Sequence, residues 1–448
     1  MREGRSYAFL IRSANQELGA SPRPILTYNG TMRRAVALVS LLAACGSEDL
    51  GVLPSDAAAP DAFTEAARDA PADVTPDVTP DAAPLPPLKP WERMPGIDYL
   101  GGALLTAPKI VTVTFAGDDA QLVSRLTLFD DTITQTPWWT AATSEYCIQP
   151  AGTPCIGPGT NGGHVVLPGP APATLKDTLD GAGSTVVQLL QNHIFSGELP
   201  APDDQTIYVI YFPAGTSIDF DGQKSCSNFG AYHYSADLTP MGSTVPVEAA
   251  YAIEPRCTVE PFITVAASHE LIEAATDAHP GRARGYAMQD LGWQVLGDEN
   301  GDICDHNWGF DTMTQSTFEV QRAWSNKSAR AGHDPCVIAP TDPYFNVAPE
   351  SGGQIIYLAV GESRTLELDA WSDKPTAPWA LTVADLGPNL GAGASLDLKL
   401  DKATVGDGDK AHLTVTLTKK PTRPATAYDL VSKGGGKTHH WGASVRIK

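Results

Sequence analysis

The sequence predicts two folded units, an α/β (α+β) domain built on a mixed sheet and, after it, a small all-β sandwich. Residues 109–115 (KIVTVTF) and 206–212 (TIYVIYF) are β-branched and aromatic runs of the kind that form buried strands. Helical periodicity follows in the same region, and beyond residue 340 the chain changes to short alternating strands separated by Gly, Asp and Pro. A chain of 448 residues is long enough for two or three domains.

The first 44 residues predict export. Residues 32–45 (MRRAVALVSLLAAC) combine two arginines, a short apolar run and small residues before a cysteine, as a signal peptide does. The segment LAAC resembles the bacterial lipobox, so Cys45 is the predicted lipidation site and the predicted mature N-terminus. Residues 1–31 are then an upstream extension from a mis-assigned start. We expect an exported protein that its lipid anchors in the outer membrane or at the surface of a bacterium.

Residues 45–95 predict a tether without a core of its own. They consist largely of Ala, Asp and Pro around the segment PDVTPDVTPDAAP. Because so few apolar side chains cannot offset the entropy of ordering the backbone, the segment is expected to be disordered or polyproline II. The folded part should begin near Gly96, at some distance from the membrane.

Charge and cysteine content narrow the class of protein. The net charge of −21 argues against a nucleic-acid partner, since phosphate binding needs a basic surface. Six cysteines remain once Cys45 is lipidated, and an even number in an exported protein predicts three disulfides among fifteen arrangements. A cysteine-ligated zinc site is the alternative, although no CxxC spacing occurs. We favour pairing between sequence neighbours, which gives Cys147–Cys155, Cys226–Cys257 and Cys304–Cys336.

The two folded units have distinct sequence patterns. Residues 96–339 form the predicted α/β domain, in which a helix over residues 263–276 carries the main cluster of polar side chains. Residues 340–448 fit an immunoglobulin-like module in length and in strand pattern. In this module His439 and His440 are expected to be strand residues on opposite faces rather than metal ligands.

The stretch ASHELIEAATD within residues 263–276 is the clearest functional signal. Residues i and i+4 of a helix share a face, so His269 and Glu273 can bind one cation together. Glu270 then lies where a general base could activate a metal-bound water. This HExxE pattern places a glutamate where the helix of zinc peptidases has its second histidine. It predicts a zincin-like domain with zinc as the cofactor.

A catalytic zinc site needs a third protein ligand, and the loop LGDENGDICD offers one. Glu299 or Asp302 is the predicted third ligand. The loop also alternates Asp298, Asn300 and Asp302 as oxygen donors, which leaves calcium open as the cation, although the glycine that an EF-hand requires is absent. Further candidate ligands are Asp277, Asp305 and His306.

An HExxE sequence also arises by chance on amphipathic helices. The same side chains would then form a structural cation site or a polar network. The preceding segment FITVAAS is apolar, which predicts a buried helix. Buried His and Glu side chains need a cation or complete pairing, so the predicted burial favours a metal site.

Several ordered segments resemble the phosphate-induced protein family, known from plants as EXORDIUM-like. These segments are ASHELIEAATD, the GW at 292–293, ENGDICD and VQRAWSN, and upstream SGELPAPDDQTIYVIYF and SCSNFGAYH are similar to a strand and a Cys-x-x-x-Gly-x-His segment of that family. The resemblance covers most of residues 96–339 and implies a secreted or wall-associated protein without a settled biochemical activity. It departs from the family after Asp277, where Ala278 and His279 precede the proline. The polar positions that it shares are His233, His269, Glu270, Glu273, Thr276, Asp277, Glu299 and Asp302.

These observations predict an exported lipoprotein with a metal-dependent hydrolase domain, in particular a peptidase that acts on a peptide or a cell-wall polymer. Zinc would be held by His269, Glu273 and either Glu299 or Asp302, with Glu270 activating its water. His233 would hydrogen-bond the substrate or a developing oxyanion. The alternative is a non-catalytic binding or adhesion protein of the cell surface or wall, in which the same cluster is structural.

Overall fold

The structure, a computed structural model, describes residues 88–305, 308–313, 316–350, 352 and 355–448. The predictions made for the signal peptide, for most of the tether, for Cys45 and for His306 lie outside these residues.

The first domain is a mixed α/β unit, as the sequence predicts. Strands β2 and β5 have the predicted bounds, and helix α4 begins three residues earlier than expected, with Pro261 in its first turn. Short 3-10 helices lie at Pro90–Arg93, Ile133–Gln135 and Asp302–Cys304. In chain order the strands and α-helices are β1 (Ile97–Tyr99), β2 (Lys109–Phe115), α1 (Ala120–Thr132), α2 (Pro137–Thr143), β3 (Thr160–Leu167), β4 (Thr174–Asp177), α3 (Thr185–Phe195), β5 (Thr206–Phe212), β6 (Ser217–Phe220), β7 (Gln223–Lys224), β8 (Tyr232–Asp237), β9 (Glu248–Pro255), α4 (Glu260–Thr276), β10 (Tyr286–Met288), β11 (Trp308–Met313), β12 (Ser316–Gln321), β13 (Ala323–Trp324), α5 (Asn326–Ala331) and β14 (Cys336–Val337).

The central sheet has the strand order β3-β2-β5-β9-β8. Strands β3, β2, β5 and β9 are parallel, and the edge strand β8 runs antiparallel to β9. Every residue of β5 is buried, because both of its faces are covered, which explains its uninterrupted apolar sequence. The sheet therefore presents its edge strand β8 beside the helix that follows β9.

Helix α4 is buried all round rather than amphipathic. All residues from Ile263 to Thr276 are buried, and the helix contacts β8, β9 and β12. Alternate residues of each strand face opposite sides of the sheet, so Ile207 and Val209 pack in the core that contains α4. Tyr208 and Ile210 pack in a second core that contains α3. A helix in this position brings its polar side chains into the domain interior.

The second domain is the predicted all-β sandwich. One sheet has the order β15-β17-β21-β19 and the other β16-β23-β22-β18-β20. Along β17 the side chains of Leu366, Leu368 and Ala370 alternate into the core with more exposed residues between them. The strands are β15 (Phe345–Pro349), β16 (Ile356–Leu358), β17 (Ser363–Ser372), β18 (Trp379–Asp385), β19 (Leu396–Leu400), β20 (Thr404–Val405), β21 (Lys410–Leu417), β22 (Ala425–Gly434) and β23 (Lys437–Ile447).

The two domains share a continuous aromatic contact. Trp293 lies between Trp324 of its own domain and Trp441 of strand β23, with ring centroids 5.3 and 5.4 Å away. A Cβ atom on Gly292 would lie 2.3 Å from the Cα atom of Ala443, so the two backbones meet without an intervening side chain. The sandwich is therefore closely packed against the first domain.

His439 and His440 are strand residues of β23, as predicted. The ring of His439 packs 4.6 Å from that of Tyr344, and His440 Nδ1 lies 2.7 Å from an oxygen of Asp429.

Disulfide pairing between sequence neighbours is confirmed. The structure contains the bonds Cys147–Cys155, Cys226–Cys257 and Cys304–Cys336. Disulfides of this kind are typical of proteins that fold in an oxidising compartment. Among the described residues, no helix has the length and apolar character needed to cross a membrane.

The domain contact at Gly292 can be tested by Gly292→Ala. The added methyl group overlaps the backbone of Ala443, so the free energy of urea unfolding should fall by about 1–3 kcal/mol. Gly157→Ala is the matched control, because its nearest neighbour, the carbonyl oxygen of Thr106, lies at 3.6 Å. Equal stability changes in the two variants would contradict the close domain contact.

Candidate metal centre

Helix α4 places the predicted HExxE side chains in the domain interior. His269, Glu270 and Glu273 are each 1% exposed. His269 and Glu273 lie one turn apart, which brings the Nε2 and Oε2 atoms within 3.2 Å of each other. The predicted helical pair is therefore formed, and it is shielded from water.

Two other segments complete the cluster around α4. The edge strand β8 contributes His233, which is 3% exposed. The loop between β10 and β11 contributes Glu299 and Asp302, and the Asp302 backbone N–H donates to Glu273 Oε1 at 2.9 Å. The Cys304–Cys336 disulfide links the end of this loop to β14. Residues from separate parts of the chain thus converge at one place.

Of the two acids in the loop, Asp302 rather than Glu299 lies beside His269. Asp302 Oδ1 lies 3.8 Å from His269 Nε2, and one ligand atom from each of His269, Glu273 and Asp302 lies within 4.8 Å of the other two. Glu299 Oε1 lies instead 3.8 Å from His233 Nε2. The structure therefore groups His269 and Glu273 with Asp302.

His233 lies among the carboxylates of the cluster. Its Nδ1 atom is 3.4 Å from Glu270 Oε2 and 3.5 Å from Glu273 Oε2. These three residues form a second candidate ligand group, in which one ligand atom of each lies within 4.8 Å of the other two. His233 Nε2 and Glu270 Oε1 are buried without a hydrogen-bond partner among the described residues. The predicted role of His233 toward a substrate or oxyanion stays a prediction.

Gln321 of strand β12 fixes the orientation of the His269 ring. Its amide nitrogen donates to the carbonyl of Gly301 at 2.6 Å, so its Oε1 atom faces His269 Nδ1 at 3.0 Å and accepts a hydrogen bond from the N–H there. His269 Nε2 then faces Glu273 and Asp302. A lone pair would be repelled by these carboxylates, so Nε2 needs either a second proton or a cation.

Arg284 neutralises part of the surrounding negative charge. It forms ion pairs with Asp277, at 2.8 Å, and with Asp298. Its Nη2 atom also lies 3.1 Å from Glu299 Oε1, without hydrogen-bond geometry. Burial opposes the charge on the guanidinium, but the three acids raise its pKa further above the ordinary value. Arg284 is therefore a fixed cation within the cluster.

Acidic groups still outnumber basic ones around α4. Burial raises the pKa of Glu270, and that of Asp302 rises well above its usual value through burial and the charge of Glu273. Burial lowers the pKa of His269, yet Glu273 and Glu270 outweigh it and hold the pKa well above normal. Without a bound cation, protons on these side chains must therefore offset part of the negative charge. The cluster contains six acidic side chains and three basic ones. The acidic ones are Glu270, Glu273, Asp277, Asp298, Glu299 and Asp302, and the basic ones are His233, His269 and Arg284.

The donor set fits a zinc ion. Ligand atoms at about 2.1 Å from a tetrahedral zinc ion are about 3.4 Å apart, and the observed separations of 3.2 and 3.8 Å bracket this value. One nitrogen and two carboxylate oxygens, from His269, Glu273 and Asp302, are ligands that zinc accepts. The hydrogen bond from His269 to Gln321 is the kind of support that metal-binding histidines have.

Some of the oxygen donors suggested for calcium already have other partners, whereas Asp298 Oδ1 is buried without a hydrogen-bond partner among the described residues. Asp298 is paired with Arg284, and Asn300 Oδ1 accepts from Thr276 Oγ1 at 3.2 Å. A group of Asp298, Glu299 and Asp302 nevertheless lies within 4.8 Å. Calcium binding by this loop stays a prediction, with Arg284 as its electrostatic competitor.

Sequence reasoning did not single out Gln321 or Arg284. Both act on the cluster through tertiary contacts. Gln321 lies in the VQRAWSN segment, which gave it no individual role, and Arg284 lies in no motif. Asp277, a further candidate ligand, instead accepts from Arg284 and from the Gly285 backbone at 2.8 Å. These contacts support the turn after α4, and Asp277 is not part of the candidate ligand group of His269, Glu273 and Asp302.

Comparisons with known proteins give no close relative. No family model and no curated protein matches the chain. Domains 4 and 5 of the S-layer protein SbsC match 31% of this chain and 58% of their own length, at 10% identity and a TM-score of 0.18. The titin M3 domain matches 24% of this chain and 96% of its own, at 15% identity and a TM-score of 0.16. A FixG-related protein from Vibrio parahaemolyticus matches 24% of this chain and 96% of its own, at 12% identity and a TM-score of 0.17. Likeness at this level carries no functional information.

The role of Arg284 predicts a large effect of Arg284→Met. The variant leaves Asp277, Asp298 and Glu299 without their cation, so the free energy of unfolding at pH 7 with chelator should fall by about 3–5 kcal/mol. Because the pKa of Glu299 is raised in the folded state, protonation relieves the repulsion, and the loss should shrink as the pH falls.

Arg330→Met is the control, since Arg330 is exposed on α5 and its loss should change stability by less than about 0.5 kcal/mol. A loss in Arg284→Met that stays constant from pH 8 to pH 5 would rule out a charge-balancing role.

Proposed function

We propose that residues 96–339 hold one divalent cation, zinc in the first place, between His269, Glu273 and Asp302. We propose further that the chain is a non-catalytic binding protein of the cell surface, in which this cation stabilises the first domain. The observation that carries the proposal is the 3.2 Å approach of His269 Nε2 to Glu273 Oε2 inside a buried group with excess acid. A bound cation would supply the positive charge that protons supply in its absence.

Burial favours a structural role for the cation over a catalytic one. A catalytic zinc site keeps one position open to substrate, whereas a structural site is closed by protein. The His269 and Glu273 side chains are only 1% and 2% exposed, and that of Asp302 is 13% exposed. Neither helical ligand is within reach of a substrate in this conformation.

Export and surface location are part of the same proposal. Three disulfides support folding in an oxidising compartment. Lipid anchoring through Cys45 and a place among the EXORDIUM-like proteins agree with that compartment and are proposed on the sequence segments given above. The zincin-like assignment is likewise proposed, supported by a buried HExxE helix beside the antiparallel edge strand of a mixed sheet.

A metal-dependent hydrolase, in particular a peptidase, is the second candidate. Two observations favour it: Glu270 Oε1 is buried without a partner among the described residues, and Asp302 lines a cavity of about 330 Å³. Glu270 would hold or move the proton of a water beside the cation, after a movement that opens the site.

Metal analysis tests the cation site. After dialysis against zinc and removal of excess, the purified chain should retain about one zinc ion, and His269→Ala and Asp302→Asn should lose it. His193→Ala is the control, because His193 is bound to Glu198 on the surface of α3. Zinc should also raise the unfolding temperature of the unmodified chain and of the control only.

The zinc affinity should rise with pH, because the raised pKa of His269 means that zinc must displace a proton from it. A folded chain that retains no zinc, or that binds zinc equally after His269→Ala, would refute the site.

Glu270→Gln separates the two candidate functions. If the cation is structural, the zinc-loaded chain should not cleave casein, and Glu270→Gln should leave the zinc content unchanged. Cleavage by the unmodified chain that Glu270→Gln abolishes, with zinc retained, would instead establish the hydrolase.

A further inference from the structure

The Cys304–Cys336 disulfide joins the loop that supplies Asp302 to a strand pair of the first domain. Cys304 lies two residues after Asp302, in the same 3-10 helix, Asp302–Cys304. Cys336 lies on β14, where it pairs with Trp324 of β13. Both cysteines are buried. The bond therefore links the position of the third proposed ligand to strands in the domain interior.

Asp302 is the one proposed ligand that helix α4 does not hold. His269 and Glu273 keep their spacing because they lie one turn apart in a buried helix. Asp302 lies in a loop, where its backbone N–H donates to Glu273 Oε1 at 2.9 Å. Its Oδ1 atom is 3.8 Å from His269 Nε2, so a small displacement of the loop would take it out of the ligand group.

The disulfide is the covalent member of a set of contacts that hold this loop. Gln321 Nε2 donates to the Gly301 carbonyl at 2.6 Å, and the Trp324 N–H donates to the Asn300 carbonyl at 2.8 Å. Hydrogen bonds can be exchanged for bonds to water, whereas a covalent crosslink limits how far two segments can separate. The disulfide thus sets the range over which Asp302 can move.

The disulfide and the third ligand border the same cavity. Asp302 and Cys336 both line the cavity of about 330 Å³, to which Trp293 of the first domain and Thr438 of the sandwich also contribute. This interdomain cavity is open to solvent at its rim, because Thr438 is exposed. Small solutes therefore approach the disulfide and Asp302 from one side.

We infer that formation of the Cys304–Cys336 disulfide prepares the cation site, so that the chain binds its cation tightly only after these cysteines are oxidised. The inference rests on the proposed function, which supplies the cation. The oxidant is a small or protein disulfide: one cysteine thiolate displaces half of it to form a mixed disulfide, and the second thiolate displaces the other half. The two cysteines lose two electrons and two protons, and the oxidant becomes two thiols. Cation binding is then confined to an oxidising compartment.

The zinc affinity of the double variant Cys304→Ala/Cys336→Ala tests the inference. This variant lacks the crosslink and offers no sulfur to zinc, and competition with a chelator measures its affinity. The affinity should fall by about ten-fold or more, as it does when the support around a metal ligand is lost.

Cys226→Ala/Cys257→Ala is the matched control. Its disulfide spans 31 residues and the tested one 32, so the two double variants lose nearly equal crosslink entropy. None of the three proposed ligands lies between Cys226 and Cys257, so its zinc affinity should stay within about two-fold of that of the unmodified chain.

The reduction equilibrium of the unmodified chain gives a second readout, which remains valid if a double variant does not fold. A disulfide that strengthens zinc binding ten-fold must be stabilised ten-fold against reduction by bound zinc. Alkylation of Cys304 in a buffer of oxidised and reduced dithiothreitol, with free zinc held constant by a metal buffer, measures this shift. Zinc should produce no such shift in His269→Ala.

Equal losses of zinc affinity in the two double variants, unchanged affinity without Cys304–Cys336, or a reduction equilibrium that zinc does not shift would overturn the inference and leave the cation site standing. An oxidised, unmodified chain that binds no zinc would overturn the cation site and the inference together.

Discussion

The charge balance around the buried helix α4 is the constraint on which the rest of the structure depends. His269, Glu270 and Glu273 are held out of water by an apolar helix between the sheet and strand β12. Buried charges are tolerated only when they are paired, protonated or bound to a cation. Arg284 and Gln321 serve that need, the first as a fixed cation and the second by orienting an imidazole. The remaining excess of acid is the reason to expect a divalent ion.

The loop between β10 and β11 connects this cluster with the second domain. Trp293, near its start, packs on Trp441 of the sandwich, and Cys304, near its end, is held by a disulfide to β14. Between them Asp302 faces both the cation group and the interdomain cavity. The contact between the domains therefore restrains the same segment that supplies a candidate ligand. A substitution at the domain contact is expected to alter cation binding, and loss of the cation is expected to weaken the domain contact.

Much of this organisation follows from local sequence, and the rest depends on tertiary contacts. The bounds of β2 and β5 are predictable because fully buried parallel strands need continuous apolar runs, and the HExxE pair is predictable because helical spacing is regular. Spacing could not separate Glu299 from Asp302, because residues three apart in an irregular loop reach different neighbours. Arg284 lies in no motif, and Gln321 lies in the VQRAWSN segment, whose match did not indicate a role beside His269. The resemblance to the EXORDIUM-like proteins stays a prediction.

The most direct test of the cation site is to locate the ion itself. Crystals of the chain grown with zinc, measured at the zinc absorption edge, should give one anomalous peak about 2.0–2.2 Å from His269 Nε2 and from oxygens of Glu273 and Asp302. A peak at another place, or a structure in which His269 Nε2 lies in direct hydrogen-bond contact with these carboxylates while zinc is present in excess, would contradict the account.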